Sequence, residues 1–187
     1  KGRKLTLEFN NLENVWNGKP GSVAKEVKQV VVSQDGKNWT AVPTESPEVG
    51  RVRVTLEMPG PSLYVARAEP YRVSDLNRFL AEIQASPLVK VTTIGKTVQG
   101  RDLEIIRVGN DDAPNHVFIR ARAHPWEPVG NWVVEGLVRR LLKGDTEAQK
   151  CLALYNVCIL PMANKDGVER GGTRFNLGGW DLNRKWD

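Results

Sequence analysis

The sequence predicts a two-part chain: a small antiparallel β-sandwich over residues 1–70, followed by an α/β domain from residue 71 onward. Three observations carry this reading. Residues 1–70 alternate short apolar runs with Pro- and Gly-rich turns, the pattern of a small sandwich. Beyond Pro70-Tyr71, stretches with helical spacing alternate with short apolar strands, the pattern of an α/β domain. The apolar spacing itself changes at that point, with no repeat or low-complexity segment to explain it.

In chain order, Leu5, Leu7 and Phe9 alternate with polar residues, and Lys28 to Ser33 is a β-branched run. Asp35-Gly36 then makes a turn before Trp39 to Val42, a hairpin signal. Val52, Val54 and Leu56 alternate again, and Leu63 to Ala66 is a further apolar stretch. Trp16 and Trp39 are read as core packing; an exposed aromatic row that stacks on sugar is the rival. In the second part Ser74 is the expected N-cap of a helix with a Leu76, Phe79, Leu80, Ile83 stripe. Val89 to Ile94 and Leu103 to Val108 read as strands around Gly100-Arg-Asp, and Val117 to Ala123 as a buried strand. A helix from Val129 to Leu142, a short one from Thr146 capped by Asp145, and a strand from Leu154 to Leu160 follow. After Pro161 regular pattern stops, and five glycines lie in the tail. Loops that long in a compact domain are usually functional or disordered.

Composition narrows the class. Hydrophobic content of 40% and charged content of 26% are ordinary for a globular chain. Nothing approaches the ~18 unbroken apolar residues of a membrane span. The net charge of +5 is spread evenly, with ten basic against eight acidic residues in 1–70 and seventeen against fourteen in 71–187. That distribution excludes a nucleic-acid tail or patch. Cys151 and Cys158 form no metal spacing with the two histidines and read as buried thiols. The chain starts at Lys1 rather than Met, so a leader removed from it is compatible with the sequence.

The chemistry concentrates in Ile119 to Leu142. His124 is placed at the carboxyl end of a strand, Pro125 and Pro128 bracket the turn, and Glu127 lies in or just before the first helical turn. Ligands of open α/β sheets gather at that edge. An imidazole and a carboxylate three residues apart across such a turn reach one ion, and zinc accepts the pair. A bare His-x-x-Glu is weak, and a structural histidine is the ordinary reading until context is added. Arg174 and Arg184, with Asn183, stand in the glycine-dense tail. Isolated arginines there read as surface charge paired with Asp166, Glu169 or Asp181.

Context is supplied by motifs in order: His124-Pro-Trp-Glu127 after a strand, Pro161-Met-Ala-Asn-Lys-Asp-Gly167, then Arg174 followed by Asp181-Leu-Asn-Arg184. The set resembles the M14 family of zinc metallocarboxypeptidases, with signatures of the type His-Pro-x-Glu, Pro-Met-x-Asn-x-Asp-Gly and Asp-x-Asn-Arg. Arg122-Ala-His124, the β-rich residues 1–70 and Gly95 to Gly109 resemble its cytosolic carboxypeptidase subfamily. The resemblance covers about Tyr71 to Asp187 in detail and the sandwich loosely. Trp126 stands where that branch has Gly, Pro128 follows the glutamate, and Asn164-Lys-Asp replaces Asn-Pro-Asp.

The resemblance implies a mixed-sheet α/β zinc carboxypeptidase domain, incomplete in this chain, after the sandwich. It implies a hydrolase acting in proteolysis on C-termini of peptides or proteins, with Zn2+ as cofactor, no nucleic-acid or membrane partner, and a cytoplasmic location. His124 and Glu127 match zinc ligands, Arg174 the arginine that holds the oxyanion, and Asn183 and Arg184 the pair that grips the terminal carboxylate. The family's third ligand, a histidine, and its general-base glutamate lie downstream of Asn-Arg. The other histidine, His116, is roughly 26 Å from His124 along an extended strand and is excluded as third ligand. The 187-residue chain is therefore expected to be a truncated catalytic domain, inactive alone. A carboxylate- or peptide-binding module of the same fold, without catalysis, is the alternative. The preferred C-terminal residue and the oligomeric state are not legible in the sequence.

Overall fold

In the computed structural model, residues 2–16 and 18–186 are described, apart from the side chain of Trp16. The chain divides into two compact units, Lys1–Pro70 and Tyr71–Asp187.

In the first unit every strand pairing is antiparallel. Strand β1 (Arg3–Phe9) pairs β6 (Val52–Met58), with Leu5 opposite Leu56 and Leu7 opposite Val54. Strand β4 (Gln29–Ser33) lies between β5 (Thr40–Pro43) and β7 (Tyr64–Ala66), and β2 (Glu13–Trp16) pairs β3 (Lys19–Ser22). The two larger sheets share one core. Val54 and Leu56 of β6 pack with Val30 of β4, and Leu7, Val32, Val42 and Val65 close around them. Period-two alternation puts these side chains on one face of each strand, so the expected sandwich layering is borne out. The Asp35-Gly36 turn is built as read: the Asp35 carboxylate accepts the backbone N–H of Lys37 and Asn38, and Gly36 takes φ +69°. Trp39 is half-buried, whereas the Trp16 side chain lies outside the described residues.

The second unit is a four-stranded sheet of order β10-β11-β9-β8 with helices. Strands β8 (Val89–Lys96) and β9 (Asp102–Val108) form an antiparallel hairpin, and β11 (Tyr155–Leu160) pairs β9 antiparallel. Strand β10 (Asn115–Arg120) runs parallel to β11, so the sheet is mixed. Helices α2 (Val129–Leu141) and α3 (Thr146–Leu154) make the crossover that a parallel pair requires. Helix α1 (Val73–Ile83) buries Leu76, Phe79 and Leu80 against Ile106, Val138 and Ile159.

Five local expectations are corrected. The N-cap of α1 is Arg72, because the Asp75 carboxylate reaches back to the Arg72 N–H at 2.8 Å and starts the helix two residues before Ser74. The strand read as buried through Ala123 ends at Arg120. It stands at the end of the strand order, with Val117 36% and Phe118 60% exposed. Leu154 closes α3 rather than opening β11. The tail holds a short helix, α4 (Lys165–Glu169), because the Asn164 side chain accepts the Gly167 N–H. Cys151 and Cys158 are free and half-buried rather than buried.

Helix α4 is tied to the β8–β9 turn. The buried Asp166 carboxylate accepts Thr97 Oγ1 at 2.8 Å, the Gln99 N–H at 3.0 Å and Arg101 Nη1 at 2.6 Å. Lys165, also buried, pairs with Glu104 of β9. Burial raises the Asp166 carboxyl, and these donors together lower it more, below the usual carboxylate range. Among the described residues no helix is long and apolar enough to cross a membrane.

Because Ile106 is fully buried at the centre of this sheet, Ile106→Ala is expected to destabilise by about 2–5 kcal/mol in denaturant unfolding. Val98→Ala, at a position 75% exposed, is expected to stay within about 0.5 kcal/mol. Equal effects would place the core elsewhere.

Candidate functional site

The site forms where β10 and β11 end side by side. Past Arg120 the chain stays stitched to the segment after β11: the Ala121 N–H donates to Leu160 O at 2.9 Å, and Ala163 and Asn164 donate to Ala121 O and Arg122 O at 3.1 Å. A sharp turn then carries His124 and Pro125, closed by the Glu127 N–H to His124 O at 3.2 Å, and Pro128 caps α2. Gly167 packs directly on this turn. A Cβ there would lie 2.4 Å from Pro125 Cγ, closer than atoms approach, so only glycine fits.

His124 is 6% exposed, and a carboxylate stands at each ring nitrogen. Glu127 Oε1 is 3.0 Å from Nδ1, and Asp181 Oδ1 is 3.0 Å from Nε2. Asp181 is itself firmly held. Its Oδ2 accepts Arg174 Nε at 2.8 Å and Nη2 at 2.7 Å, and its Oδ1 accepts the Asn183 N–H at 2.9 Å. Burial opposes ionisation of Asp181, yet the hydrogen bonds from His124, Asn183 and Arg174 outweigh it and bring the carboxyl down to about 2. Arg122 lies beneath the turn, 8% exposed, and burial lowers its guanidinium to about 10.

The five residues singled out by sequence fall into two groups. Glu127 meets His124 directly, and Asp181 joins His124 to Arg174. Asn183 and Arg184 are exposed neighbours: Asn183 Oδ1 accepts Arg120 Nη2 at 3.1 Å, and Arg184 Nη1 donates to Asn183 O at 3.1 Å. Arg174 does make the Asp181 ion pair that surface charge alone suggests, but the same carboxylate grips His124. Asp181 is the residue that sequence reasoning passed over. Its signal was its place at the head of Asp-x-Asn-Arg, where a carboxylate can hold the far nitrogen of a ligating imidazole.

The donor set fits a divalent cation. A neutral imidazole carries one N–H and can donate to one carboxylate only. With the proton assigned toward Asp181, Nδ1 and Glu127 Oε1 face each other as two lone-pair groups, an arrangement that a cation between them resolves. A ligating histidine commonly donates its other N–H to a carboxylate, which fixes its tautomer and ring orientation. Among the described residues no group of three or more His, Cys, Asp or Glu side chains is arranged to hold a metal, so this chain shows two candidate donors of a four-coordinate shell.

Comparison with known proteins gives the family. Cytosolic carboxypeptidase 6 of Caenorhabditis elegans is 33% identical over 139 residues, which cover 70% of this chain and 30% of that protein. Cytosolic carboxypeptidase 2 of Danio rerio is 30% identical over 145 residues, covering 71% of this chain and 20% of its own length. A metallo-carboxypeptidase from Burkholderia cenocepacia superposes with a TM-score of 0.87 at 32% identity, over 100% of this chain and 50% of that one. The chain thus spans 20% to 30% of these curated relatives and half of the solved structure. The family model for zinc carboxypeptidases matches residues 76–187, and the chain belongs to the zinc carboxypeptidase family.

Proposed function

We propose that this chain carries part of the active site of a zinc-dependent metallocarboxypeptidase, which hydrolyses C-terminal residues from peptides or proteins. The observation that carries this is the His124 imidazole set between Glu127 and Asp181, each at 3.0 Å. His124 Nδ1 and the Glu127 carboxylate would hold the zinc. When bound, zinc lowers the pKa of its water and polarises the scissile carbonyl.

The chain's own residues do the rest. Asp181 keeps the His124 proton on Nε2, so that Nδ1 presents its lone pair. The Asp181 carboxylate also fixes the plane of the Arg174 guanidinium through Nε and Nη2. A cation held in that way is aimed before the reaction at the negative charge that develops on the carbonyl oxygen. A fixed donor of this kind is worth about 2.7–4 kcal/mol in comparable sites. Asn183 and Arg184 read the free terminal carboxylate, for which a guanidinium fork is the matching shape. On this reading residues 1–70 are a β-sandwich domain and residues 71–187 the amino-terminal part of the catalytic domain. The chain's similarity to cytosolic carboxypeptidases supports a cytosolic location for it.

Two measurements test these roles. In calorimetric titration with zinc, His124→Ala is expected to weaken binding at least tenfold, about 1.4 kcal/mol. Binding as tight as in the parent would remove His124 from the ligand set. In a preparation that hydrolyses peptides, Arg184→Ala should lower kcat/KM on substrates with a free C-terminus by on the order of 10²-fold, the scale of breaking a desolvated charge pair. The same change should alter hydrolysis of the C-terminally amidated peptide much less. Equal losses on both would show that Arg184 does not read the carboxylate.

A further inference from the structure

Arg122 combines two features that each cost free energy. Its backbone stands in the left-handed region at φ +57°, unusual for a bulky side chain that is not glycine. Its guanidinium is buried and donates to neutral groups: Nε to Pro125 O at 2.7 Å, and Nη1 to Asn131 Oδ1 at 3.0 Å. Strain of this kind persists only where the surroundings over-determine it, and it clusters at functional sites.

The surroundings of Arg122 do over-determine it. Its carbonyl accepts the Asn164 N–H, and the Asn164 side chain donates to Ala123 O at 3.4 Å. Asn131, 1% exposed in the first turn of α2, passes the connection on by donating Nδ2 to Pro161 O at 2.7 Å. One planar fork therefore joins three segments: the His124–Glu127 turn, the start of α2 and the end of β11.

We propose that Arg122 is a positioning residue for the His124–Glu127 pair: by holding the Pro125 carbonyl between the two donors, and Asn131 behind it, it fixes their mutual geometry. This rests on the reading of His124 and Glu127 as metal donors. Lysine in its place keeps a charge but not the planar fork, so one flexible nitrogen cannot hold both acceptors in the fixed geometry of the guanidinium. An apolar side chain would leave the Pro125 carbonyl and the Asn131 amide oxygen without their donor. The left-handed φ is what lets one side chain reach the carbonyl three residues on. Constellations of this kind need their members held within about 0.5 Å, by packing together with supporting hydrogen bonds.

The test uses the chain's two histidines, His116 and His124, in a sample with 15N-labelled imidazoles. His116, exposed on β10, is the internal reference. At a pH where the ring is neutral, the parent His124 is expected in one tautomer, protonated at Nε2, with slow exchange of that proton. Arg122→Gly removes the guanidinium while glycine accepts φ +57° without strain. It is expected to lose the fixed tautomer, with proton exchange at least roughly tenfold faster, the scale of a lost hydrogen bond. His116 should not change, and added methylguanidinium should restore the parent signature. Arg122→Lys should resemble Arg122→Gly without rescue.

A His124 signature unchanged in Arg122→Gly, or a parent with no fixed tautomer, would overturn the proposal. Should Arg122→Gly fail to fold, Asn131→Ala takes its place: faster exchange at His124 supports the proposal, and an intact His124 signature overturns it. Zinc titration of the parent separates the two claims. A shift at His124 and not at His116 supports the metal reading. No shift removes that reading, while the tautomer comparison still decides the role of Arg122.

Discussion

One buried imidazole between two carboxylates is the constraint around which the candidate site is built. His124 cannot satisfy Glu127 and Asp181 at once with the single proton of a neutral ring. Burial of the ring, 6% exposed, sharpens that conflict, although the Glu127 side chain itself reaches solvent. A proton on one nitrogen and a cation at the other resolves that conflict for the neutral ring. The surrounding structure suits that division. Arg174 and the Asn183 N–H hold Asp181 in place as a fixed acceptor for a proton on Nε2, while the exposed Glu127 side chain leaves Nδ1 open to a cation.

The fold brings these groups together from distant stretches of chain. The parallel pairing of β10 with β11 sets Arg120 opposite Leu160, so the segments leaving both strands start side by side. Backbone hydrogen bonds then carry the pairing past the strands, from Ala121 to Ala163 and from Arg122 to Asn164. Pro125 seats against Gly167, and α4 is anchored to the β8–β9 turn through Asp166. The tail returns across this floor, with the Trp126 N–H donating to Thr173 O at 3.4 Å and Arg120 Nη1 to Leu182 O at 3.0 Å. Asp181 thus meets His124 across 57 residues of sequence.

Much of the architecture was legible because local patterns and packing agree. The Val52, Val54, Leu56 alternation, the Asp35-Gly36 turn and the Leu76, Phe79, Leu80 stripe each predict what they form. Where reading by pattern failed, a neighbour outside the window decided. Apolar Val117 and Phe118 look like core, but their strand stands at the end of the sheet order, a property of topology rather than composition. Ser74 is a better N-cap type than Arg72, yet Asp75 caps the helix from inside. At the site, residue types at fixed spacing marked His124 and Glu127, because the turn between them is local. The role of Asp181 depends on a long-range contact and was hidden behind a plausible ion pair with Arg174.

The central claim is that His124 Nδ1 and Glu127 ligate one zinc while Asp181 holds the far nitrogen. Anomalous diffraction at the zinc edge, on crystals of this chain grown with zinc, tests it most directly. The account predicts a peak about 2.0–2.1 Å from His124 Nδ1 and within about 2.2 Å of a Glu127 carboxylate oxygen, with the contact between Nε2 and Asp181 intact. A zinc peak at Nε2 in place of Asp181, or a peak away from His124 altogether, would contradict it.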